Sequence, residues 1–271
     1  MNAHVELDKY KQQVVTDFNS RPNYDEGNKF HLALANRLIE LVQLKQGKKV
    51  LDIATGTGLV AITAAQIVGS EGQVVGVDIS KGMLEQAQRK INTIGLKNVE
   101  LIEADADSLD FNDSSFDIIL CSSAIMYLTD IRNTLQQWHR FLKPCGLVAF
   151  SCFAETAHTI AVIFREKAQT YGILIPNPNE PLSTPQKCQS LLIEAGFQDV
   201  KVVTEQFGSY VSDVERAWSA NARSAFGFQV KELSSKRLEQ LKAEYIAELG
   251  ATATDKGIWN DVTTFFVLGS K

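Results

Sequence analysis

Apolar residues alternate between two rhythms over much of this chain. Short runs at residues 50–53, 73–78, 99–103, 116–122 and 147–153 read as buried strands. Between them the apolar positions recur every three or four residues. Residues 59–68 carry Val60, Ala61, Ala64, Ala65 and Val68 on one stripe, residues 81–93 carry Leu84, Ala87 and Ile91, and residues 131–142 carry Ile131, Leu135, Trp138 and Leu142. Ser80 is placed to cap the second of these helices and Gly95 to end it. Strands alternating with helices predict an α/β fold with a mostly parallel sheet and right-handed crossovers.

The flanks follow other patterns. Residues 5–18 set Leu7, Tyr10, Val14 and Phe18 on one helical face, residues 21–27 break that helix with Pro22 and Gly27, and residues 28–44 resume it with Leu34, Leu38 and Leu41. Beyond the fifth strand, residues 156–171 predict another helix, and four prolines punctuate residues 176–185. Thr184-Pro185 opens a helix that ends at Gly196, and 199–203 is a sixth strand. Residues 262–268 make a last strand, the antiparallel hairpin partner of the sixth. More than 50 residues separate the two, where a hairpin needs only a few. That insertion contains a Ser212-x-x-Glu215 capping box for a helix at 213–224, and a second helix starting at Ser234 or Ser235, burying Leu238, Leu241, Tyr245 and Leu249, and ending at Gly250.

Composition narrows the class. With 271 residues, 45% hydrophobic and 22% charged, the chain is an ordinary globular protein with room for one α/β domain and an embellishment. No apolar run reaches the roughly 18 residues of a membrane helix, and Met1 to Glu6 lacks the basic and apolar segments of a signal peptide, so the expected location is cytoplasmic. A net charge of −5 without a lysine/arginine block disfavours a nucleic-acid partner. Cys121, Cys145, Cys152 and Cys188 have no metal-ligand spacing and read as free thiols; no metal is expected.

The chemistry concentrates at Val50-Leu51-Asp52-Ile53-Ala54-Thr55-Gly56-Thr57-Gly58, a strand, a glycine turn and then a helix. Gly56 to Ala61 matches the relaxed G-x-G-x-x-A dinucleotide fingerprint, and Asp78 lies where that fingerprint wants a ribose acid. Asp52 separates the possible ligands: a buried anion beside the turn repels a pyrophosphate but suits a sulfonium carrying an ammonium group. Here the sequence resembles the class I S-adenosylmethionine (SAM) methyltransferases, especially the small-molecule group related to the ubiquinone/menaquinone C-methyltransferases. In that family an apolar-Asp-apolar-x-x-Gly-x-Gly motif wraps the methionine part of SAM.

The resemblance implies a Rossmann-like, seven-stranded, mostly parallel sheet with helices on both faces. It also implies an N-terminal helical lid at 1–46, a SAM-binding core at 47–208 and 258–271, and a helical cap inserted before the last strand at 209–257. It assigns Asp52, Ala54, Gly56 and Gly58 to the methionine part, Asp78 to the ribose, Ile79 and Met83 to the adenine faces, Asp105 with the Ala106 amide to the adenine edge, and Tyr24 to the cofactor carboxylate. A capping role for Asp78 and a packing role for Tyr24 stay open. The end of the fourth strand, at Ser122, is expected to face the transferred methyl. Ser122 to Leu128 lacks the Asn/Asp-Pro-Pro-Tyr/Phe motif that serves adenine or amide nitrogen acceptors. Residues 142–146 reproduce the family's Leu-Lys-Pro-x-Gly exit turn, which puts the Pro144-Cys145 pair away from catalysis.

A sulfonium methyl is already activated, so alignment and exclusion of water dominate and no catalytic cluster is required. Where the acceptor must lose a proton, His31, Tyr127 and His158 are the candidates, with packing roles as the alternative. Trp218, Phe226, Phe228 and Trp259 could line an apolar acceptor pocket or form the core of the inserted helices. The expected function is methylation of O, N or C on a small, partly apolar metabolite. Methylation of protein or RNA, a non-catalytic SAM-binding module, and NAD(P) binding are the competing readings.

Overall fold

The computed structural model describes residues 7–26 and 29–271; the expected beginnings of the first two helices, at Val5 and Asn28, and the stretch Met1 to Glu6 lie outside them. Seven strands form one sheet: β1 (Lys49–Ile53), β2 (Gln73–Asp78), β3 (Val99–Glu103), β4 (Phe116–Cys121), β5 (Leu142–Phe153), β6 (Gln198–Gln206) and β9 (Thr263–Ser270), in the order β3-β2-β1-β4-β5-β9-β6. Pairs β1–β2, β2–β3, β1–β4 and β4–β5 are parallel. Lys271 exchanges backbone hydrogen bonds with Cys145 and Gly146 near the start of β5, and Ser270 bonds the Gln198 carbonyl at the start of β6, so β9 runs opposite to both. The last strand thus slots between the fifth and the sixth.

By contacts the chain divides into two units. The larger comprises residues 18–152, 181–204 and 265–271. Its helices are α2 (Lys29–Val42), α3 (Leu59–Val68), α4 (Lys81–Ile94), α5 (Ile131–Phe141) and α7 (Pro185–Glu194). Val50, Leu51, Ile53, Val74, Val77, Ile119, Leu120, Val148, Ala149 and Phe150 form the buried strand core, all within 1% of full burial, as two covered faces require. The predicted stripe of α3 is buried, α4 starts at the Ser80 cap and stops at left-handed Gly95, and Thr184 caps α7.

Boundaries differ where tertiary contacts intervene. Pairing of β5 begins at Leu142, not residue 147; residues 143–146 form a bulge opposite Asp117, because the register passes from Phe116–Leu142 to Ile118–Leu147. Leu142 therefore belongs to the strand rather than to the α5 stripe.

The smaller unit gathers, among the described residues, 7–17, 153–180 and 205–264. It holds most of α1 (Lys9–Asn19), together with α6 (Thr159–Thr170), α8 (Val214–Arg223), α9 (Ser235–Ala251) and a two-stranded ribbon, β7 (Ser209–Val211) with β8 (Ile258–Asn260). Its core joins Ile163, Phe164, Ala168, Trp218, Leu241, Tyr245 and Leu249. α1 buries Val14 of the predicted stripe and leaves Leu7, Tyr10 and Phe18 half-buried, while Lys11 and Asp17 are buried beside it, the Asp17 carboxylate accepting the Ala225 amide at 3.2 Å. α6 starts at Thr159 because His158 takes a left-handed conformation, its amide bonded to the Asp261 carbonyl. Asp213, not Ser212, caps α8 by accepting the Arg216 amide at 2.8 Å, and α9 continues through Gly250 to Ala251. Among the described residues no helix is long and apolar enough to cross a membrane.

Candidate functional site

Parallel register brings the ends of four strands to one edge of the larger unit. Ile53 pairs with Val77, Asp78 with Glu103, and Asp52 with Leu120, so the glycine turn, Asp78, Asp105 and Ser122 lie side by side. Gly56 and Gly58 both have positive φ, 55° and 83°. A Cβ added to Gly58 would sit 3.2 Å from the Ala87 Cβ, so this glycine lets α3 pack on α4. One added to Gly56 would meet nothing within 4 Å: the backbone there borders open space. Ala54 shares the left-handed conformation at φ 53°.

Two buried acids hold this turn. Asp52, 1% exposed, accepts the Thr55 hydroxyl and the Ala61 amide; burial lifts its carboxyl to about 7, those hydrogen bonds oppose the rise, and the charge of Asp78 adds to it. Asp78 accepts the Gly56 amide at 2.8 Å through Oδ2 and the Ser80 amide at 2.8 Å through Oδ1. Burial pushes it up to about 6 against the amides of Ser80, Gly56 and Ile79. Asp78 thus bonds the loop after its own strand and also reaches across to the turn.

The remaining edge residues occupy distinct settings. Asp105 caps a short 3₁₀ turn at Ala106–Ser108 by accepting the Asp107 amide. Asp107 itself binds Thr129 and Thr134, and Asp110 pairs with Arg140, so both neighbours of Asp105 are engaged in structural contacts. Ile79 is half-buried, whereas Met83 is 1% exposed in the α4 core. Ser122 is half-buried beyond β4, followed by left-handed Ser123, whose amide donates to buried Ser151.

Tyr24 and His31 meet: the hydroxyl lies 3.1 Å from Nε2 and the rings stack at 5.6 Å. Phe18 continues the group, 6.1 Å from Tyr24 and 5.4 Å edge-on from Tyr127, with the Arg21 guanidinium over Phe18 and Tyr24. Burial drives the His31 imidazole down to about 4, with Asp25 opposing and Arg21 assisting, so it is neutral at physiological pH. Two of the three base candidates therefore join one aromatic cluster. His158 belongs to the smaller unit, where its ring packs edge-on against Phe153 at 4.7 Å. Trp218 is core there, 5.4 Å from Phe164 and 5.7 Å from Tyr245, while Trp259 is 41% exposed and pairs with Tyr210.

Sequence reasoning missed how residues 19–25 are fastened to α4. Asn19 accepts Ser80 Oγ and the Gly82 amide; Gln86 accepts the Tyr24 amide and donates to the Arg21 carbonyl. Asp25 accepts the Thr57 hydroxyl at 2.6 Å and pairs with Lys90, whose Nζ also donates to the Thr57 carbonyl. The available signal was Gly82, Gln86 and Lys90 at four-residue spacing, a second stripe beside the buried one.

Comparison with known proteins agrees with this architecture. YcgJ from Bacillus subtilis superposes with a TM-score of 0.60 at 19% identity, over 88% of this chain and 98% of that one. Phosphoethanolamine N-methyltransferase 2 of Haemonchus contortus, in complex with S-adenosyl-L-methionine, gives 0.57 at 19% identity over 98% and 60%. At those identities the likeness speaks for the fold alone. In sequence, a demethylmenaquinone methyltransferase of Listeria monocytogenes is 35% identical over 224 residues, 78% of this chain and 92% of its own length. Aklanonic acid methyltransferase DauC of a Streptomyces is 35% identical over 144 residues, 52% and 66%. The model of the ubiE/COQ5 methyltransferase family matches residues 10–184. A glycine turn flanked by strand-end acids, on a seven-stranded sheet, is thus accounted for: the chain belongs to the ubiE/COQ5 methyltransferase family and is a SAM-dependent methyltransferase.

Proposed function

We propose that the strand-end edge of the larger unit binds SAM and that the protein methylates O, N or C of a small, partly apolar metabolite of the quinone or polyketide kind. The observation that carries the donor site is the open space at left-handed Gly56, next to an Asp78 carboxylate already within hydrogen-bond reach of that turn. Those features fit the donor: the turn admits a close ligand backbone, and Asp78 offers acceptors to ribose hydroxyls. Asp105 and the Ala106 amide serve the adenine edge, Ile79 and Met83 its surroundings, Tyr24 the carboxylate, and Ser122 borders the methyl. Asp52 acts from beneath the turn, shaping it through Thr55 and Ala61 and adding negative potential.

Bound SAM supplies an activated methyl. The chain's own task is to align an acceptor and keep water away. The acceptor class is supported by the names of the relatives, one a demethylmenaquinone methyltransferase and one an aklanonic acid methyltransferase. For an acidic hydroxyl or carbon, His31 is the base candidate whose imidazole stays neutral at physiological pH and is bonded to Tyr24, and the burial that keeps it neutral also makes it a weak base, suited only to an acceptor that is itself acidic. Additions to the SAM-binding core are proposed at 1–46, a helical lid, and at 209–257, a helical cap, in a cytoplasmic enzyme.

Calorimetry with SAM, S-adenosylhomocysteine and NADH tests the donor site; NADH binding in place of both sulfur ligands refutes it. Incubation of the protein and labelled SAM with a demethylated naphthoquinone and with an anthraquinone carboxylic acid tests the acceptor. Mass spectrometry should find one added methyl on one of the two, and label on neither removes this acceptor class.

A further inference from the structure

The positive end of the donor lacks an obvious acceptor in the site as predicted. Asp52 directs its carboxylate to Thr55 and Ala61, so its acceptors are already engaged by donors of its own turn. The segment that crosses the glycine turn supplies another carboxylate. Asn19 bonds Ser80 and Gly82, and Gln86 holds the backbone of Arg21 and Tyr24, which brings Asp25 to Thr57, the residue between the two glycines. Oδ2 of Asp25 takes both the Thr57 hydroxyl and the Lys90 ammonium. Oδ1 is buried and, among the described residues, has no hydrogen-bond partner.

A buried carboxylate oxygen without a donor is costly and calls for one. Lys90 balances the charge of Asp25, so what is missing at Oδ1 is a hydrogen-bond donor. An ammonium group supplies three N–H donors and is rewarded most at an ionised acceptor. We propose that Asp25 is a donor-binding residue whose Oδ1 receives the α-ammonium group of SAM while Thr57 and Lys90 hold Oδ2. The assignment rests on the donor site proposed above and adds to it the residue that reads the amino group. It also couples residues 19–25 to occupancy, because the contact forms only while that segment is clasped to α4.

The test compares three ligands by calorimetry on the full chain: S-adenosylhomocysteine, its desamino analogue, and 5′-methylthioadenosine, which lacks the amino-acid part. The wild type should prefer S-adenosylhomocysteine over the desamino analogue by about tenfold or more, the value of a charge-assisted hydrogen bond. Asp25→Asn should bring the two within about twofold of each other while 5′-methylthioadenosine binds as before. Retention of the preference in Asp25→Asn, or equal weakening of all three ligands as from a loosened segment, overturns the assignment and leaves the donor site standing. Absence of a preference in the wild type overturns it without any variant. Failure of the wild type to bind any of the three removes the donor site and this assignment together.

Discussion

Raising the pH from about 5.5 to about 7.5 should tighten SAM binding by about a hundredfold, since Asp52 and Asp78 must ionise to serve a cationic, hydroxyl-bearing ligand. Burial puts the Asp78 carboxyl at about 6 and that of Asp52 at about 7 in the free protein. Over that interval the recovery of the ionised form is about fourfold for Asp78 and about twenty-five-fold for Asp52, and the two multiply if both are required. His31, at about 4, stays neutral throughout, and the donor's own α-amino group remains mostly protonated below about pH 7.5. Calorimetry across the range, repeated near pH 6.5 in buffers of different ionisation enthalpy, should show proton release on binding. Asp52→Asn should keep only the fourfold part. A wild-type affinity that changes less than twofold while the protein stays folded would refute the reasoning, as would an Asp52→Asn variant with the full hundredfold rise.

Asp52 should also mark the stability of the ligand-free protein. Its folded-state carboxyl is raised, so the native state holds the proton more tightly than the unfolded chain; stability is highest below about pH 4 as far as this group is concerned and is lost as pH rises through about 7. Asp52→Asn should therefore gain up to about 4 kcal/mol at pH 8 and almost nothing near pH 4, read from urea titrations; equal effects at both pH values contradict the burial argument. The two glycines of the turn should separate folding from binding. Gly58→Ala combines φ 83° with a Cβ 3.2 Å from Ala87 and should lower stability by about 1–3 kcal/mol. Gly56→Ala carries only the conformational cost of about 1 kcal/mol but fills the open side of the turn, so its melting temperature should fall less while its SAM affinity falls more. Thermal melts with calorimetry on both variants decide, and the reverse ranking disproves the assignment of that space to the donor.

The strand-turn-helix units were legible because their signals are local. A run such as Val74 to Val77, a glycine turn at Gly56 and Gly58, the Ser80 and Thr184 caps and the Gly95 stop each depend on a few adjacent residues, and the structure reproduces them. Parallel register then follows from βαβ chirality, which is how Asp78 could be expected beside the turn before any contact was known. Where local signals tied, tertiary contacts chose. Ser212 and Asp213 both suit a helix cap and the carboxylate took the role; β7 and β8, three residues each, are too short to show a period.

What the sequence by itself determined was the order of the main-sheet strands and the helices between them, the sheet edge on which the acids gather and the family to which that edge belongs. What only the tertiary structure decided was which way each acid turns. Asp52 faces inward to Thr55 because a buried carboxylate must find donors, α1 presents Lys11 and Asp17 because Ala225, 208 residues from Asp17, supplies an amide, and Asp25 reaches Thr57 and Lys90 across 32 and 65 residues. Hydrogen bonds between such distant positions leave no periodic trace in the chain. They are chosen by the requirement that polar atoms withdrawn from water be satisfied, and only the folded arrangement says by whom.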